Sequence, residues 1–177
     1  MCDAVQIESA RMPDRDGFGP EHLSDFVSVS RETVARIETV IATLDEWRTK
    51  MNLIGPSEFD QVWRRHVLDS LQLAPLIPTD GHTVDRGSGS GCPALILAAN
   101  FNHQDARMTM IESVGKKCAF LRAAVEAADL PAKVIQGRVE AVNPEKADCV
   151  TARAFAPLPK LLAYAEPWLT NGAYGVI

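Results

Sequence analysis

Strand-length apolar runs alternate with helical patterns from residue 82 to residue 177, and short connections join them. That alternation predicts an α/β fold: a mostly parallel sheet, helices on both faces, and a ligand site at the carboxyl ends of the strands. The stretch Val84-Asp85-Arg86-Gly87-Ser88-Gly89-Ser90-Gly91 marks that edge. Its three alternating glycines suit a loop that turns tightly and aims backbone N–H groups at a bound molecule. An acid, Glu112, closes the next strand about 20 residues past the loop, a place from which a carboxylate reaches ribose hydroxyls.

Taken in order, residues 1–28 mix Pro, Gly and charges without periodicity and read as a mobile tail. From Ser30, placed as an N-cap, apolar residues recur at three- and four-residue intervals (Val34, Ile37, Val40, Ile41, Leu44, Trp47, Met51) and predict a helix. Met51 to Pro56 breaks it. Ser57, with Asp60 three residues on, predicts the cap of a second helix reaching about Leu76. Residues 29–80 thus read as an N-terminal helical extension. Within the second helix His66, Asp69 and Ser70 share one face, and Arg65 and Asp69 form an i,i+4 pair. That face is either solvated, with one ion pair, or a polar wall turned to a cleft.

Strands follow at 82–86, 107–112, 134–136, 149–151 and from 173, with helices at 93–100, 115–128 and 158–169. Lys116, Lys117 and Arg122 stand in the first half of the helix at 115–128, where like charge opposes the helix dipole. They suit a phosphate backbone or simply solubilise the surface. Gly87–Gly91, Glu112, Gly137–Glu140 and Arg153 all fall at carboxyl ends of strands, and their convergence on one edge is stronger than any one of them.

A hydrophobic content of 46% supports an ordinary core. Four widely spaced cysteines (Cys2, Cys92, Cys118, Cys149) form no C-x-x-C pair, which argues against a disulfide framework or a zinc site and fits a reducing cytoplasm. The charged N-terminus predicts no signal peptide, and no run reaches the length of a membrane span. The net charge of −5 is unevenly shared: residues 1–80 carry 8 Lys/Arg against 14 Asp/Glu, residues 81–177 carry 10 against 9. This balance leaves an RNA substrate open.

With an acid two residues before its first glycine, the G-x-G-x-G loop resembles the first motif of S-adenosylmethionine (SAM) methyltransferases. It differs from the G-x-G-x-x-G of dinucleotide-binding domains. Further motifs are Met51-Asn52-Leu53, Arg65-His66-Val67-Leu68-Asp69-Ser70-Leu71, Asp85-x-Gly87-x-Gly89-x-Gly91-x-Pro93, Glu112-Ser113-x-Gly115-Lys116-Lys117, Gly137-Arg138-Val139-Glu140 and Ala152-Arg153-Ala154-Phe155. On these, the chain from Ser30 to Ile177 resembles the bacterial 16S rRNA guanine-N7 methyltransferases, the methyltransferase G or glucose-inhibited division protein B family. The resemblance implies a Rossmann-like SAM-dependent methyltransferase fold over residues 81–177, in a cytoplasmic enzyme. The implied product is N7-methylguanosine at position 527 of 16S rRNA. It also implies SAM contacts at Gly87, Cys92, Val139, Glu140 and Arg153, to which the loop adds Gly89 and Gly91, and the strand end Glu112. Candidates for contacts to rRNA phosphates are Arg64, Arg65, His66, Lys116, Lys117 and Arg138. His66 equally suits helix–sheet packing, bonded to Asp69 or a main-chain group.

Three positions depart from the family pattern. Arg86 stands where a small apolar residue is usual, Cys92 replaces a larger apolar residue, and Ala94 stands where glycine is common. The family also continues beyond the fifth strand, so C-terminal strands are expected to be missing here. Arg86, Cys92 and the missing C-terminal segment motivate a rival expectation: a SAM-fold remnant that binds RNA or a partner without catalysis. No long apolar stripe is left over, and a monomer is expected. Guanine N7 carries an in-plane lone pair and no proton, so methyl transfer to it needs alignment rather than a general base. No catalytic base, nucleophile or metal is therefore predicted, and Arg153 suits the SAM carboxylate or an RNA phosphate.

Overall fold

A computed structural model describes residues 13–101, 106–142, 146–153 and 157–176. Five strands, β1 (His82–Arg86), β2 (Arg107–Glu112), β3 (Ala132–Gln136), β4 (Cys149–Thr151) and β5 (Tyr174–Val176), form one sheet in the order β3-β2-β1-β4-β5. Every pairing is parallel. The chain steps outward from β1 to β3, then resumes on the other side of β1 with β4. The order therefore reverses between β1 and β4, where a crevice opens at their carboxyl ends.

The principal helices are α1 (Arg31–Arg48), α2 (Ala94–Ala99), α3 (Gly115–Ala127) and α4 (Leu158–Leu169). Alternate residues of a strand face opposite sides, which sorts the core into two clusters. Met108 and Met110 of β2 join Leu95, Leu97, Phe120 and Leu121 on one face, while Val84, Ile111 and Val150 meet Ala165 and Trp168 of α4 on the other.

Ser30 caps α1, its hydroxyl accepting the Thr33 N–H at 3.0 Å. The stripe Ile37, Val40, Ile41 and Leu44 is buried and packs on α2 and α3. Residues 29–80 are therefore less an appendage than one layer of the same core: Ile37, Ile41 and Leu44 share a cluster with Leu95, Met108 and Phe120. An amphipathic stripe must be covered, and here the sheet-bound helices cover it.

The expected helix from Ser57 to Leu76 is corrected to a string of short turns. Pro56–Phe59 is capped not by Ser57 but at Gly55, whose N–H donates to the Glu58 carboxylate at 2.9 Å. A π-helical turn at Trp63–Leu68 follows, then an α turn at Asp69–Leu71 and a 3-10 turn at Ala74–Leu76. The wider π spacing disrupts the 3.6-residue period, so His66 and Ser70 are buried while Asp69 is exposed. Among the described residues no ion pair joins Arg65 to Asp69.

Residues 13–28 are likewise docked rather than a free tail. Asp14 is buried, and its carboxylate accepts the N–H groups of Trp63 at 3.0 Å and Arg64 at 2.8 Å. Arg15 pairs with Asp60 at 2.7 Å, and Phe18 and Leu23 are buried. Isolated apolar anchors among charges leave no periodic signal, which is why the sequence reads as unstructured there. Residues 1–12 of the expected tail lie outside the described residues, as do Ala154, Phe155 and Ile177. Asp14→Ala is expected to cost about 1–2 kcal/mol, the usual loss for a side chain that satisfies helix N–H groups. The check is a urea midpoint at unchanged m-value; an unmoved midpoint would show that the docking adds nothing. Among the described residues, no helix is long and apolar enough to cross a membrane.

Candidate active site

The site is built at the switch point. Asp85, 1% exposed, accepts the Thr151 hydroxyl at 2.6 Å and so ties β1 to β4 beneath the crevice. Burial raises its carboxyl above the usual aspartate range, against the hydrogen bonds from Ser88 and Thr151. Beyond Arg86 the chain turns through Gly87, Gly89 and Gly91 at φ of +71°, +53° and +83°, a region that favours glycine. Glu112 at the end of β2 fixes this loop: Oε2 accepts the Gly89 N–H at 2.9 Å and Oε1 the Val114 N–H at 2.8 Å.

Around these groups lies a cavity of about 600 Å³, within the size range of small-molecule sites. Gly87, Gly89, Cys92, Glu112, Val139, Glu140 and Arg153 all line it. Gly91 does not; it packs inward, where an added Cβ would lie 2.3 Å from Leu95 Cδ1. Burial pushes the Cys92 thiol up to about 11, which makes it a neutral contact and no nucleophile at pH 7.

Among the residues picked for phosphate contact, His66, Lys117 and Arg138 line the cavity, and Arg64, Arg65 and Lys116 do not. Arg64 is held elsewhere, 2.9 Å from Asp16 and 4.3 Å above the Phe18 ring. The cavity also recruits Glu58, Lys160 and Tyr164, which sequence reasoning passed over. Lys160 and Tyr164 stand one turn apart on α4, a spacing visible in the sequence. Nothing local says that this face turns toward the glycine loop. The Tyr164 hydroxyl bonds the Glu140 carboxylate and holds it below the usual glutamate range.

Among the described residues, His66 is bonded through its ring neither to Asp69 nor to the main chain. Its Nδ1 lies 3.0 Å from Arg153 Nη2. A guanidinium only donates, so Nδ1 accepts and the ring proton of the neutral imidazole sits on Nε2. Burial, and then the Arg153 charge, lower the imidazole below the usual histidine value and keep it neutral at pH 7. The neutral ring brings no positive charge to a phosphate, and its one N–H donor is on Nε2.

Arg86 turns away from the cavity onto the α4 face. It is 1% exposed, 4.8 Å from the Trp168 ring and 5.6 Å from that of Tyr164. Among the described residues its guanidinium nitrogens have no hydrogen-bond partner. Burial lowers the group to about 10, opposed by Glu140 and Tyr164, so it remains cationic at neutral pH. Desolvating a charge costs several kcal/mol, and desolvated cation–π contact returns about 2 kcal/mol. Arg86→Met is therefore expected to raise stability by about 1–2 kcal/mol, or about 2–8 °C in Tm. A melting curve that stays put or falls would mean that the aromatic stack outweighs the desolvation.

Residues 33–177 match the family model described as GidB, rRNA small subunit methyltransferase G. The chain belongs to this family. Among its members, the ribosomal RNA small subunit methyltransferase G of Hyphomonas neptunium is 63% identical over 150 residues, 84% of this chain and 70% of the relative. That of Paramagnetospirillum magneticum is 44% identical over 156 residues, 88% and 75% of the two chains. A solved structure of SAH-bound methyltransferase PaMTH1 from Podospora anserina superposes with a TM-score of 0.58 at 14% identity, covering 87% of this chain and 62% of that one. TYW2 of P. horikoshii in complex with MeSAdo gives 0.50 at 17% identity, over 56% and 38%. At such identities the likeness is one of fold: this chain shares the Rossmann-like sheet with both structures.

Proposed function

We propose that this chain transfers the methyl group of SAM to N7 of a guanine in 16S rRNA, the base at position 527. The observation that carries the reading is the convergence of the glycine loop, Glu112, Val139-Glu140 and Arg153 on one cavity at the switch point of the sheet. These residues fit SAM chemically. Glu112 offers an acceptor for ribose hydroxyls, Gly87 and Gly89 leave room for close backbone approach, and Arg153 is the cation for a carboxylate. SAM, when bound, supplies a methyl group on a cationic sulfur. The chain's own contribution is alignment and exclusion of water, and orientation of this kind lowers a barrier by roughly 7–11 kcal/mol. Lys117, Arg138 and Lys160 at the cavity suit the phosphates that flank a splayed base.

The reading carries with it a monomer acting in the cytoplasm on small-subunit rRNA, and residues 81–177 as its SAM-binding part. Two measurements test it. Titrating the purified chain with SAM in a calorimeter is expected to give saturable heat in the micromolar range. Deleting the gene is expected to abolish borohydride–aniline cleavage of 16S rRNA at one guanine. No heat and an unchanged cleavage pattern would leave only the kinship, and favour the binding remnant.

A further inference from the structure

We propose that His66 is the positioning residue for Arg153: its Nδ1 accepts one guanidinium N–H and fixes the others for the carboxylate of SAM. This deepens, and rests on, the SAM reading above. Both residues line the cavity, and Nδ1 lies 3.0 Å from Arg153 Nη2. A guanidinium carries five N–H donors in a rigid fork, so most remain once His66 has taken one. Arg153 is half-buried, and among the described residues no carboxylate pairs with it.

The neutrality of the imidazole is what suits it to this place. An acid behind Arg153 would orient the fork equally well, but it would also offset the charge that a ligand carboxylate needs. A neutral acceptor orients and leaves the charge whole. The ring proton is then left on Nε2, which is buried and has no partner among the described residues. A buried donor of that kind calls for an explanation, and the Nδ1 bond supplies it, because a group that only donates forces the tautomer. The backbone beneath the ring is pinned as well. His66 stands in the π turn Trp63–Leu68, and the Trp63 and Arg64 N–H groups are held by Asp14 at 3.0 and 2.8 Å. Glu58 lines the same cavity and feels the Arg153 charge, but stands beyond ion-pair distance from it. That acid decides between ligands. An RNA phosphate would meet it uncompensated, whereas the amino-acid end of SAM brings an ammonium beside its carboxylate.

The test titrates the whole chain in a calorimeter with SAM and with decarboxylated SAM, which keeps the sulfonium, sugar and ammonium and lacks only the carboxylate. The wild type is expected to bind SAM about ten- to a hundredfold more tightly, the range for hydrogen bonds to a charged group. In H66F that preference falls by about tenfold, while the Kd of the decarboxylated ligand stays within about twofold. H66N, whose Oδ1 takes the place of Nδ1 as a neutral acceptor, restores most of the preference. A ring that only fills space would weaken both ligands equally and leave the ratio intact, which overturns the inference. An H66N variant no better than H66F also overturns it. Should H66F fail to fold, H66A removes the ring without adding bulk and carries the same expectation. Wild-type protein that binds neither ligand overturns the SAM reading along with the role of His66. Wild-type protein that binds both equally overturns only that role, and leaves Arg153 to the rRNA.

Discussion

Glu112→Ala is expected to weaken SAM binding by at least about a hundredfold and to lower stability by about 1–3 kcal/mol. The carboxylate is 6% exposed and serves both sides of the site. One oxygen holds the Gly89 N–H at 2.9 Å and the other the Val114 N–H at 2.8 Å. Oε1 also accepts the Ser113 hydroxyl at 3.4 Å, so Oε2 is the oxygen that keeps a further lone pair for a hydroxyl of the ligand. Removing the carboxylate thus deletes the proposed sugar contact and frees the loop that frames it, so ordering the loop is added to the cost of binding. Hydrogen bonds to a charged acceptor contribute about 1.5–3 kcal/mol each. The stability loss stays at the lower end because Val114 is exposed and water can replace part of what is lost. Glu112→Gln is expected to fall between, since its amide keeps one acceptor and sets a donor against a donor. Calorimetric titration and a denaturant midpoint check both numbers; an alanine variant that binds SAM within about threefold of wild type would remove Glu112 from the site.

Gly91→Ala is expected to destabilise the fold by about 2–5 kcal/mol, against about 1 kcal/mol for Gly89→Ala. Both glycines lie at positive φ, +83° and +53°, where a Cβ costs about 1–2 kcal/mol. Their surroundings separate them. A Cβ on Gly91 would lie 2.3 Å from Leu95 Cδ1, 2.8 Å from Leu95 Cγ and 3.1 Å from Leu121 Cδ2. Leu95 and Leu121 are fully buried, so neither swings aside without disturbing the layer between sheet and α1, and overpacking adds about 1–3 kcal/mol. On Gly89 the nearest atom would be the Gly87 carbonyl oxygen at 3.7 Å, ordinary contact. Thermal melts of the two variants are expected to differ by several degrees, with Gly91→Ala the lower. Equal melting temperatures would show that the loop yields and that only the backbone angle matters.

The alternation of strand and helix was legible because each element repeats its own period over several residues. β1, β2, β4 and α4 lie where the patterns predict them. The stretch from Ser57 to Leu76 was not, because a π turn follows no 3.6-residue period and its position depends on Asp14, some fifty residues earlier, capping Trp63 and Arg64. The carboxyl edge was readable from glycine spacing and from an acid at a strand end. The Gly89–Glu112 and Thr151–Asp85 bonds that make this edge a site join different strands and carry no local signal.

Residue order alone therefore determined the family, the parallel sheet and the group of residues gathered at its carboxyl edge. Periodicity and backbone-permissive glycines are local properties, and parallel connectivity brings strand ends together wherever the helices pack. Tertiary packing decided which way the ambiguous side chains face. It stacked Arg86 on Trp168 rather than in the cavity, turned Gly91 toward the core, and placed His66 against Arg153 with one ring nitrogen unpaired among the described residues. Those outcomes depend on desolvation and on partners from distant segments, and a linear pattern encodes neither.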